Sequence, residues 1–192
     1  MSDARLRELE RRWRRTGAVD DEALYLAERA RAGDLAAERL ALAAALGHEA
    51  ARRAAPSPPA TDDDQRLVKA VSTCGVEALV RAQVALARWS LGALAMARDR
   101  PPEPALAAAA LAIGAAEAWL RCPCDRCVRA AQVAADQRLA GSVRFSGLLA
   151  ARHAALMVGA ESLRHARRHA TFGLGQVEVL RRELVPWLLG PP

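Results

Sequence analysis

The chain has 192 residues (20.5 kDa), enough for one sizeable core or for a small module joined to a domain of ordinary size. Alanine supplies 46 residues, only 4% are aromatic, and the formal net charge is +6. That balance favours closely packed helices, and the sequence carries no nucleotide-binding loop, no nucleophile motif and no pair of catalytic carboxylates.

The N-terminus, MSDARLRELERRWRR, is charged from its start and lacks an apolar run of signal-peptide length, which predicts a cytoplasmic protein with reduced thiols. A first helix is expected from a Ser2 cap through Arg15, with Leu6, Leu9 and Trp13 at helical spacing. Asp20 or Asp21 is the expected cap of a second helix that Gly33 ends. Asp34 is the expected cap of a third, which carries Leu35, Leu40, Leu42 and Leu46 and stops at Gly47. A short piece from His48 to Ala55 then meets PSPPAT, whose prolines and serine favour extended backbone. The expected organisation is therefore a three- to four-helix module over 1–55, a linker over 56–61, and a helical bundle or array over 62–192.

The acidic run Asp62–Asp64 favours a helix start through the helix dipole, and that helix should end near Cys74-Gly75. A longer helix follows and must stop before Pro101-Pro102, since proline lacks an amide donor. Four more are expected: Glu103 to Leu120, Cys124 to Leu139, Val143 to Thr171, and Gln176 to about Pro186-Trp187, with Gly141 and Gly173 as breaks. No stretch alternates with period two, so the fold class is all-α. The run from Pro104 to Leu120 contains Glu117 and is too alanine-rich to predict a membrane span.

The segment RCPCDRC places Cys122, Cys124 and Cys127 within six residues. Thiolates at such spacing can clasp Zn²⁺, with Cys74 the best fourth ligand and His153, His165 or His169 the others. A second C-x-x-C pair is missing, which favours the plainer reading: Cys124 and Cys127 as small buried fillers beside a turn at Pro123. A redox role would use a lowered thiol pKa at Cys124, but the βαβ context of such motifs is absent. His165 and His169 stand i, i+4 among Arg164, Arg167 and Arg168, with Glu161 in reach, a pattern expected of a solvated basic face.

Trp13, Trp89, Trp119 and Trp187 are expected to anchor helix packing. Trp187, Leu188 and Leu189 form an apolar chain end that either folds back on the bundle, the preferred expectation, or meets a partner or a second copy in a homodimer. The basic charge is almost all arginine and is spread over several helices without a dense tract, which argues against nucleic acid as the partner.

The first 55 residues, from LERRWRRTGAVDDEALYLAERARAGDLAAERLALAAALGHEAARRA, resemble a short helical module of multi-domain proteins from GC-rich bacteria, and that resemblance implies no activity. The segments PALAAAALAIGAAEAWLR, CVRAAQVAADQ and LLAARHAALMVGAESLRHA, between Pro104 and Ala170, are similar in texture to alanine-rich helices of immunity proteins in bacterial polymorphic-toxin systems. The three cysteines depart from that texture. The resemblance implies a binding protein, not an enzyme, whose partner is a toxin or a larger assembly.

Overall fold

The computed structural model describes residues 2–59, 61–95, 101–136, 146–158, 160, 162–170, 172 and 174–190. These residues form eleven α-helices and a 3-10 turn, with no strand among them. The N-terminal group is α1 (Ser2–Thr16), α2 (Val19–Ala32), α3 (Ala37–Ala45) and α4 (Glu49–Ala54). After the proline segment come α5 (Asp64–Thr73), α6 (Val76–Ala95), α7 (Glu103–Arg121), α8 (Asp125–Asp136), α9 (Ser146–Val158) and α10 (Leu163–Arg168). The turn Leu174–Gln176 leads into α11 (Val177–Leu189).

Helix α6 is the centre of the molecule because its sequence is apolar nearly all round. Every residue from Ala78 to Ala87 except Arg81 is buried. It packs on α5, α7, α9, α10 and α11, most extensively on α9. Helix α7 shows how alanine makes a helix interface: Ala105, Ala108, Ala109, Ala112, Ile113 and Ala116 recur at spacings of three and four and are all buried. Side chains this small let α7 lie close against α8 and α9. Among the described residues α7 is the one helix with the length and apolar content of a membrane span, and it is built into this bundle.

The two sides of the proline segment contribute to the same apolar cluster. Leu42 and Leu46 on the N-terminal side and Leu180, Leu184 and Leu188 of α11 are completely buried in it. Polar contacts follow the same seam. Arg181 donates from Nε to the carbonyl of Leu46 at 2.6 Å, and Arg29 donates from Nη1 to the carbonyl of Leu189 at 2.5 Å. Gly47 is favoured here by its left-handed φ of +88°, and a β-carbon would stand 2.3 Å from the Arg181 guanidinium, which would have to move.

Several local expectations need correction. Neither Asp20 nor Asp21 caps α2, and Asp34 does not cap α3; the N-cap residues are Ala18 and Ala36, without a side-chain bond. The aspartates are drawn into side-chain pairs with nearby residues instead. Thr16 Oγ1 donates to Asp21 at 2.6 Å, Arg12 lies 2.7 Å from the same carboxylate, and Asp34 pairs with Arg29 at 2.6 Å. Asp63 does cap α5, accepting from the Arg66 amide at 2.7 Å. The helix expected from Val143 to Thr171 is two helices, because Ser162 caps a new start by accepting from the His165 amide. Helix α11 also runs through Pro186 to Leu189, since one lost amide donor near a helix end is outweighed by burying Leu188 and Leu189. Leu139, Gly141, Val143, Glu161, Thr171 and Gly173 lie outside the described residues, as do the side chains of Ser2 and Asp3.

Candidate functional site

Chain direction at the α7–α8 turn is set by Pro123. The residue before a proline is driven to extended backbone, and Cys122 adopts φ −146°, ψ 91°, which ends α7. The amide of Cys124 then donates to the carbonyl of Cys122 at 2.8 Å, and α8 begins at Asp125. This tight turn folds three sulfurs together. The Sγ atoms of Cys122, Cys124 and Cys127 all lie within 4.8 Å of one another, and Cys124 and Cys127 are 3.6 Å apart. Cys122 is exposed and the other two are half-buried, so none is a core filler.

Cys124 sits where the first amides of α8 point outward. Donation from the Cys127 amide, and then from the neighbouring thiols and the Arg126 amide, lowers its pKa to about 7. The thiols of Cys122 and Cys127 are pushed up in turn, chiefly by their contact with Cys124.

The expected fourth ligand does not arrive. Among the described residues the only group of three or more His, Cys, Asp or Glu ligand atoms this close is the three sulfurs alone. Cys74 caps the end of α5, close to Glu38 and Arg39 of α3. The histidines form a separate row: the His169 ring lies 5.5 Å from that of His153 and 5.3 Å from that of His165, centroid to centroid. His165 is exposed, but His169 and His153 are half-buried and Nδ1 of His153 is buried without a hydrogen-bond partner. Burial first, then neighbouring positive groups, holds both His153 and His169 below the ordinary imidazole range. This row is thus only partly the solvated face that its spacing suggests.

Comparison with family models, curated proteins and solved structures finds no match for the chain.

The chain end is closed. Leu188 and Leu189 are buried, and Trp187 lies between two guanidinium groups, with Arg39 4.1 Å and Arg81 4.9 Å from its ring centroid. Trp13 stacks on Tyr25 at 5.4 Å, whereas Trp89 is 47% exposed on α6 and anchors no core.

A surface that the sequence did not single out lies along α7 and α8. An open groove of about 640 Å³ is floored by Ala110, Gly114, Ala115 and Ala130 and bordered by Leu111 and Val133. Those two are 57% and 67% exposed, the most exposed large apolar side chains described. Arg126 and Arg129 also line it, and neither is ion-paired to a carboxylate among the described residues. Several other arginines pair with carboxylates, as in Arg31–Glu28 and Arg88–Glu117. A larger opening of about 810 Å³ beside α5 and α10 has Arg66 paired with Asp62 and Asp63 and Arg167 bonded to Ser72 in its walls, and Lys69 also lines it.

Proposed function

We propose that this chain is a non-enzymatic protein-binding domain that docks an α-helix of its partner in the groove between α7 and α8. The observation that carries the reading is the exposure of Leu111 and Val133 beside a floor of alanine and glycine. Large apolar groups on a small-residue floor suit a helix laid lengthwise, with its own apolar stripe at i, i+3, i+4 and i+7. Gly114 leaves open space where a β-carbon would stand, so a partner backbone can approach closely there.

Charge selects the occupant. Arg126 and Arg129 favour an acidic flank on the bound helix, and the net charge of +6 steers an acidic protein toward this chain. A second copy docking through the same face offers no carboxylate among its lining residues to meet these arginines, which favours an acidic partner over a symmetric dimer here. The biological setting we favour is neutralisation of a toxin, which rests on the likeness of the segment from Pro104 to Ala170 to immunity proteins; that segment contains both walls of the groove.

The test has two arms. Synthetic helices with one apolar stripe, flanked by glutamate or by lysine, are titrated against the full chain, and the glutamate version should bind more tightly, with an affinity that falls as salt rises. Leu111→Asp and Val133→Asp should abolish binding without lowering the melting temperature. In cells, co-expression with a toxin that this chain neutralises should restore growth, and the double variant should fail to do so. Equal binding of the two peptides, or protection that survives the double substitution, refutes the docking face.

A further inference from the structure

The sulfurs of the α7–α8 turn play no part in the docking reading, and their arrangement stands independently of it. Three features coincide. The sulfur separations match a metal face: four donors at about 2.3 Å around Zn²⁺ define a tetrahedron whose edges are about 3.8 Å. The Cys124–Cys127 pair is 3.6 Å apart, and Cys122, within 4.8 Å of both, needs only a small rotation of an exposed side chain to close the triangle. The turn that gathers them is fixed by backbone alone, through Pro123 and the 2.8 Å bond from the Cys124 amide to the Cys122 carbonyl. The surroundings also suit negative charge, since the start of α8 directs its amides at the Cys124 sulfur and Arg126 stands nearby.

We propose that Cys122, Cys124 and Cys127 bind one thiophilic d¹⁰ cation through three thiolates, at the rim of the fold and without a fourth protein ligand. Thiolate ligands select Zn²⁺ and Cu⁺ among cellular cations. Three sulfurs complete a trigonal Cu⁺, whereas Zn²⁺ would keep a fourth position for water on the exposed Cys122 side. Binding releases the thiol protons to solvent, so it strengthens as pH rises. The site differs from a closed structural zinc centre, which takes four protein ligands. It ties the end of α7 to the first turn of α8 instead of joining distant parts of the chain.

The full chain, reduced and freed of metal under anaerobic conditions, is titrated with Zn²⁺ against a chromophoric chelator and, separately, with Cu⁺ against a copper(I) chelator. Co²⁺ serves as a spectroscopic probe for thiolate-to-metal charge transfer. One ion per chain is expected, with affinity reduced on the order of 100-fold by Cys124→Ser or Cys127→Ser and unchanged by Cys74→Ser. Circular dichroism of each variant shows whether the helices persist, and substitution at this exposed turn should leave them intact. Tight binding of either Zn²⁺ or Cu⁺ at the triad supports the proposal and assigns the ion. Three results overturn it: no stoichiometric binding of either ion, binding that survives Cys122→Ser/Cys124→Ser/Cys127→Ser, or binding that depends on Cys74. A Cys124–Cys127 disulfide in the isolated protein, with no metal bound after its reduction, overturns it as well.

Discussion

Helix α11 closes the molecule, and replacing Leu188 by alanine measures how firmly. Leu188 is completely buried, in the same cluster as Leu42, Leu46, Leu180 and Leu184. Truncation to alanine removes its branched end and leaves a cavity between α11 and its neighbours, at a cost of about 2–5 kcal/mol, with the upper part of that range expected where the walls are held by long-range bonds. Here the wall is held by Arg29 to the Leu189 carbonyl and Arg181 to the Leu46 carbonyl. For a chain of this length the melting temperature should fall by roughly 4–20 °C. Deleting everything after Glu183 is more severe. It removes four buried side chains, Leu184, Val185, Leu188 and Leu189, each worth roughly 1.5–3 kcal/mol of burial. The gross loss of about 6–12 kcal/mol rivals the whole stability of an ordinary domain. Urea unfolding followed by circular dichroism, with light scattering on the same samples, gives both numbers. A loss under about 1 kcal/mol for Leu188→Ala, or a truncated chain that keeps its stability but changes its oligomeric state, would show that the tail belongs to an interface between chains and not to this core.

Proteases should cut first at Pro56–Thr61, where Pro56, Ser57 and Pro58 are exposed, and the nicked halves should still migrate together on a native gel because α3 and α11 share apolar contacts. Halves that separate at once would mark the first 55 residues as an independent module. Acid should destabilise the fold through His153. Its folded-state pKa lies below the unfolded value of about 6.5, so the unfolded chain takes up the proton first and stability is lost as pH falls below that value. His153→Leu should flatten the decline in melting temperature between pH 7 and 5, and an unchanged slope would place the acid sensitivity elsewhere.

Helix boundaries were legible at several proline and glycine positions, as at Gly33, Gly47, Cys74-Gly75 and Pro101, but not at Pro186, which α11 runs through. They were misread where a polar side chain had two uses. Asp34 reads as a cap because its neighbours are helical, but a guanidinium from α2 is the stronger partner and takes it. Ser162 is not legible as a cap, because the apolar pattern of α9 runs into that of α10. The convergence of three cysteines could be read from their spacing, since one turn contains them all. The absence of Cys74 from that group could not, because it depends on how α5 and α7 are placed by other helices. Leu111 was hidden for a different reason: on a helix as apolar as α7, periodicity does not tell a packed face from an open one.

The central position of α6 also bears on how the protein is made. Its main partner, α9, starts about fifty residues after α6 ends, so at ribosomal rates of about 5–20 residues per second α6 waits several seconds for its cover. The buried run of α6 is largely alanine and valine, with Leu79, Gln83 and Leu86 as its larger groups. A nascent chain of this composition offers chaperones and neighbouring chains little to grip, and a substitution such as Ala82→Leu would endanger yield during synthesis before it disturbed the finished fold.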